Sequence, residues 1–138
     1  MIFKQPLIAI VAITLLASCA DTPTAVNCKQ YRTGKFRFTE NREGKIVNYI
    51  IERNNSTQTE QSPEKDSYGT YKISWKDDCT YLLAFMSGND NLPPEMEKVK
   101  RKMVIETKIL SGTENYYLFE STNNIYDHVM KDTMWVVK

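Results

Sequence analysis

The sequence predicts an all-β domain: an antiparallel meander of about eight short strands closing into a small barrel, with one short helical turn near 93–100. Three observations lead there. Segments of alternating hydrophobicity recur from Lys35 to Val137. Turn-forming clusters such as Asn41-Arg42-Glu43-Gly44 and Ser111-Gly112-Thr113 break them at short intervals. Connections that short make neighbouring strands antiparallel, because a parallel pair needs a long crossover. Closing the meander removes the exposed edges of an open sheet, and a two-layer sandwich is the competing architecture.

The elements follow in order. Lys35-Phe36-Arg37-Phe38-Thr39 alternates strictly and places Phe36 and Phe38 on one face. Lys45 to Arg53 is β-branched and aromatic, with Val47, Tyr49 and Ile51 sharing a face. Asn54-Asn55 turns the chain. Thr57 to Gln61 is polar throughout and reads as a weak edge strand. In Tyr68 to Trp75, Tyr71, Ile73 and Trp75 point one way while Lys72 and Ser74 point the other. Asp77-Asp78 makes a turn. Cys79 to Met86 is apolar on both faces, so the most buried strand is expected here. A Gly-, Asn- and Pro-rich loop, Ser87 to Pro94, precedes the helical turn, which Pro93-Pro94-Glu95 opens with proline at its start and acids near its positive end. Lys102 to Leu110 sets Met103, Ile105 and Ile109 against Glu106 and Lys108. Glu114 to Ser121 sets Tyr116 and Leu118 against Tyr117 and Phe119. Thr122 to Asp127 is a loop, and Val129 to Val137 is the last strand.

The first residues have a different character. Lys4 is a short positive region, and Leu7 to Leu16 is an apolar run of ten residues. That is too short for a spanning helix, which needs about 20, and right for the apolar core of a secretory signal. Leu16-Ala17-Ser18-Cys19 resembles the lipobox of bacterial lipoproteins. The resemblance implies that residues 1–18 are an export signal and that Cys19 is acylated as the mature N-terminus. Acyl chains in pairs or threes anchor stably where one is marginal. Ala20 stands where some lipoproteins carry an inner-membrane retention Asp, so the outer membrane is the expected site. Residues 19–27 read as a flexible lipidated tether, leaving 28–138 as a single β domain.

Lipidation of Cys19 leaves Cys28 and Cys79 in an oxidising compartment, so a disulfide between them is expected. Two free thiols or a metal site are the alternatives; the chain has one His and no Cys-x-x-Cys. Lys4 is the single charge in 1–18, so the remainder has 17 basic and 17 acidic side chains. That zero balance argues against nucleic acid as a partner, since phosphate binding needs a basic face.

Cys28-x-x-Tyr31-x-Thr33-Gly34-x-Phe36-x-Phe38, followed by Ile73-x-Trp75-x-Asp77-Asp78-Cys79-x-Tyr81, resembles a group of short Gram-negative lipoproteins of uncharacterised function. Such chains often carry a "DNA topoisomerase IV" label. A topoisomerase needs an ATP-binding domain, a metal-carboxylate site and a nucleophilic tyrosine on a DNA-bending domain, and a neutral exported chain of this length has no room for them. Thr33-Gly34-x-Phe36 also resembles the Gly-x-Trp start of lipocalins, with Phe for Trp, which implies a lipocalin-like barrel by fold analogy alone.

No cofactor or metal is expected, and no catalytic residue stands out. Asp127-His128 lacks a Gly-x-Ser-x-Gly elbow and reads as a solvated loop. Asp77-Asp78 lacks the further oxygen ligands of a calcium loop. Lys98, Lys100, Arg101 and Lys102 form a basic cluster that could touch anionic headgroups, or simply solvate a helix end. The aromatic set Phe36, Phe38, Tyr71, Trp75, Tyr81, Phe85, Tyr117, Phe119 and Trp135 either lines a small-ligand cavity or fills a core. The two functional expectations follow. One is a lipocalin-like envelope lipoprotein holding a small apolar or amphipathic ligand. The other is an interaction lipoprotein docking on another envelope component through Thr57 to Gln61 or Ser87 to Pro94. An enzyme ranks behind both.

Overall fold

The computed structural model describes residues 26–138. Eight strands pair in chain order: β1 (Gly34–Arg42), β2 (Lys45–Arg53), β3 (Thr57–Ser62), β4 (Ser67–Trp75), β5 (Thr80–Gly88), β6 (Val104–Gly112), β7 (Tyr116–Asn123) and β8 (Met130–Val137). Each is antiparallel to the next, and β8 returns to β1, so the sheet is a closed barrel rather than a sandwich. Helix α1 (Pro94–Lys102) links β5 to β6 and runs slightly beyond the expected 93–100.

The alternation in the sequence becomes an inside and an outside. Phe36, Ile51, Ile73, Leu83, Ile109, Phe119 and Met134 face inward and are buried. Lys35, Arg37, Glu52, Lys72, Lys108 and Lys131 are exposed on the outer wall. That is a wall for water; a barrel in lipid has an apolar outer band. The β1–β2 hairpin turns through Glu43 (φ 51°) and Gly44 (φ 81°), both left-handed, the geometry whose twist matches paired strands.

One end of the barrel is closed. The β2–β3, β4–β5 and β6–β7 hairpins lie there, and a 3-10 turn, Cys28–Tyr31, plugs it. The Cys28–Cys79 disulfide ties the plug to the β4–β5 hairpin. Asp78 adds ion pairs to Arg32 (3.1 Å) and Lys29 (3.6 Å). Asp77 makes the expected turn: its carboxylate accepts the Cys79 and Thr80 backbone N–H groups at 2.8 and 2.7 Å, which hold it below the usual carboxyl range. On the far side the buried Tyr31 hydroxyl donates to the Thr113 carbonyl (2.6 Å). Gly112 makes that seat possible. A Cβ there would run into the Tyr31 hydroxyl and stand 2.9 Å from the Tyr116 carbonyl oxygen.

Two expectations need correcting. Thr57 to Gln61 is not an edge: β3 pairs with β2 on one side and β4 on the other. Its polarity has another cause, described below. The strand from Cys79 is not buried on both faces: outward Leu82 and Ala84 are half-covered, and Met86 is exposed. The seam is uneven as well. β1 pairs with β2 over nine residue pairs but with β8 over three, Lys35–Val137, Phe36–Val136 and Arg37–Trp135.

The disulfide bridges residues 51 apart in sequence, and constraining a loop of that size is worth about 4 kcal/mol in the chain-entropy model. Reduction, or Cys28→Ser with Cys79→Ser, should lower the melting temperature by roughly 15 °C. An unchanged melting curve under reductant would refute the pairing.

Candidate functional site

Above the plug the barrel is hollow. A cavity of about 850 Å³ opens at the end where the β1–β2 and β3–β4 connections and the segment leading into α1 meet. Its apolar wall is built by Phe38, Ile51, Leu83, Ile105, Phe119 and Met134. Its polar wall comes from Gln58, Glu60 and Ser62 of β3, with Thr107 and Ser121 opposite. The hollow arises where inward positions are small: Ser62, Gly69, Thr107 and Ser121 leave a gap that eight strands of larger residues would fill. The Thr107 and Ser121 hydroxyls satisfy one another at 2.7 Å.

The cavity floor is organised by Arg53, the last residue of β2, which is only 4 % exposed. Its Nε donates to Gln58 Oε1 (2.8 Å) and its Nη1 to the Tyr31 carbonyl (2.7 Å). Its Nη2 donates to the Tyr81 and Tyr117 hydroxyls, each at 3.1 Å. The guanidinium carbon lies 4.9 Å from the centre of the Phe36 ring and 4.6 Å from that of Tyr81, so ring faces supply the rest of its solvation. Burial, and then the adjacent Tyr81, push the Tyr117 hydroxyl well above its ordinary value.

Gln58 links floor to wall. It accepts from Arg53 and donates through Nε2 to Glu60 Oε1 at 2.8 Å. Burial raises the Glu60 carboxyl above its ordinary value, against the opposing pull of Gln58, Arg53 and Lys100. Tyr71, also on the wall, is raised by burial and by the charges of Glu60 and Asp90. At the mouth Glu40 pairs with Arg42 (2.8 Å) and accepts the Tyr49 hydroxyl (3.4 Å). Lys100 of α1 pairs with Asp90 and places its Nζ 4.3 Å from the centre of the Phe85 ring.

The aromatic set divides by place. Phe38, Tyr71, Tyr81 and Phe119 line the cavity. Phe36 and Tyr117 are sealed in the closed end, with rings 5.9 Å apart. Trp75 is half-buried there between Tyr81 and Arg32. Phe85 stands at the rim beside Tyr71. Trp135 is a correction: it turns outward, 43 % exposed, against Tyr116. Inward places in β8 go to Met134 and Val136, and a run of four apolar residues had no polar member to show which way it faced. In the basic cluster Lys98 pairs with Glu95, Arg101 with Glu97 and Lys100 with Asp90. Asp127 and His128 are exposed in the β7–β8 connection. Cys19, the export signal 1–18 and the tether up to residue 25 lie outside the described residues.

Sequence reasoning missed Arg53, Gln58 and Glu60. The available signal was the alternate spacing of Gln58, Glu60 and Ser62, which puts all three on one face. No protein-family model, curated protein or solved structure matches the chain.

Arg53→Lys keeps the charge but cannot reach four acceptors in a fork. It should cost roughly 2–4 kcal/mol of stability in urea unfolding; an unchanged midpoint would refute the network. Glu60 holds its proton more tightly folded than unfolded. Its contribution to stability is therefore fully present below the ordinary carboxyl range and is lost as pH rises through the raised value. Glu60→Gln should flatten that decline, and melting temperatures of the two proteins that stay parallel from about pH 4 to about pH 9 would contradict it.

Proposed function

We propose that this protein is a binding module: a lipocalin-like calyx that holds one small amphipathic molecule at the cell envelope, where an acylated Cys19 tethers it to the outer membrane. The observation that supports the reading is the cavity of about 850 Å³, lined by apolar side chains with polar groups placed among them. Pockets for small molecules combine an apolar lining with a few placed polar groups. The polar relay along β3 would fix the head of the guest, and Phe38, Leu83 and Phe119 would receive its tail.

The tether fits this use. Val26 leads directly into the plug at the closed end. A lipid on Cys19 would hold that end toward the membrane and leave the mouth facing away, free to load and unload. The second reading, docking on another envelope component, is favoured by one feature: outward-facing Leu110, Leu118 and Trp135 are exposed on neighbouring strands β6, β7 and β8.

Native mass spectrometry of the protein purified gently from its own cells should show one non-covalent guest per chain. Leu83→Trp places a larger ring in the cavity and should weaken binding of that guest at least about tenfold while the barrel stays folded. Protein recovered without a guest, and indifferent to Leu83→Trp, would overturn the calyx and move the search to the outer strip.

A further inference from the structure

The charges around the cavity are unequal in a way that selects a guest. Arg42 is committed to Glu40 and Lys100 to Asp90. Arg53 is sealed in the floor by four acceptors. Glu60 is different. It lines the cavity, forms no ion pair among the described residues, and receives one hydrogen bond, from the neutral amide of Gln58 on Oε1. No donor of the described chain reaches its other oxygen.

The surroundings of Glu60 suit a cation. Across the sheet its partner is Gly69 on one side and Ile51 on the other. Gly69 offers no side chain there, and the Tyr71 ring folds over it so closely that a Cβ on Gly69 would stand 3.1 Å from a ring carbon. Tyr49 lines the same wall one inward step toward the mouth from Ile51. A carboxylate flanked by two tyrosines offers a counter-charge and ring faces together, the combination that binds organic ammonium groups. An anionic head would meet Glu60 inside the cavity, where Arg42 and Lys100 are already paired; Lys65, exposed at the mouth, is the lining cation that forms no ion pair among the described residues.

We propose that the guest is an alkylamine-type organic cation, with its ammonium group paired to the Glu60 carboxylate between Tyr49 and Tyr71 and its apolar body against Phe38, Leu83 and Phe119. This rests on the calyx reading. Burying a protonated amine is favourable only against a partner that is itself desolvated and otherwise unpaired, and Glu60 is that partner. Ammonium binding favours the ionised carboxyl, so affinity rises with pH through the Glu60 range. Burial sets that range first, then Gln58, Arg53, Lys100 and Asp90; Tyr49 and Tyr71 face the same carboxyl and are themselves raised in part by it.

The test is calorimetric titration of the full chain with three probes of equal length, octylammonium, octanol and octanoate, each below its micelle concentration. Octylammonium should bind at least about tenfold more tightly than octanol, and octanoate more weakly than either. Glu60→Gln should bring octylammonium to within about twofold of octanol while octanol binding is unchanged, which also shows that the variant is folded. Octanoate binding as tightly as octylammonium, or a preference that survives Glu60→Gln, would overturn the charge assignment alone. Absence of binding by all three would overturn the calyx itself, and this assignment with it.

Discussion

The structure is arranged around a buried guanidinium that, among the described residues, has no carboxylate in contact. Taking a cation out of water is expensive unless its donors are met in full. Arg53 meets that condition by drawing acceptors from the plug, β3, β5 and β7, and ring faces from β1 and β5. Each acceptor fixes a different element at one distance from the same point. The closed end of the barrel thereby acquires a defined radius, and Tyr31 acquires a reason to be inside. The disulfide and the Asp78 ion pairs hold the plug from outside; Arg53 holds it from within.

The upper half follows from the lower. Once Gln58 is oriented by Arg53, its amide nitrogen can point only up the barrel, where it meets Glu60. The inward face of β3 is polar because it continues this chain of donors and acceptors, and a chain of that kind needs room beside it. The small residues at the level of Thr107 and Ser121 provide the room. Packing and vacancy are thus divided along the axis: aromatic rings and a cation below, a half-polar hollow above. The elements that surround the hollow give up core contacts, and the plugged end compensates for them.

Much of the fold was legible from periodicity. The strand order, the short turns and the inward faces of Phe36, Ile51, Tyr117 and Phe119 agree with simple alternation. What was hidden has physical reasons. Arg53 ends a strand, where a charged residue ordinarily meets water, and nothing local marks it as buried. A polar strand resembles an edge unless the interior itself is polar. Thr107 and Ser121 face each other across the β6–β7 hairpin, past a bulge that alternation does not show, and the space they leave opposite Ser62 and Gly69 emerges only on closure. The pairing within 95–101, by contrast, could have been read from the spacing of Glu95 with Lys98 and Glu97 with Arg101.

The short seam between β1 and β8 has a kinetic meaning. Every other ladder joins strands consecutive in the chain and can form from its own connection. This one joins the two ends of the domain, so its loop-closure entropy is the largest and its reward, three residue pairs, the smallest. The meander is therefore expected to pair as a curled open sheet before the barrel shuts. In the native state the same seam is the ladder expected to open first, with the amide protons that bridge β1 and β8 exchanging sooner than those in the long β1–β2 ladder. Such breathing would begin at the closed end, where Phe36 of the seam also lends its ring to Arg53, so the seam and the floor loosen together.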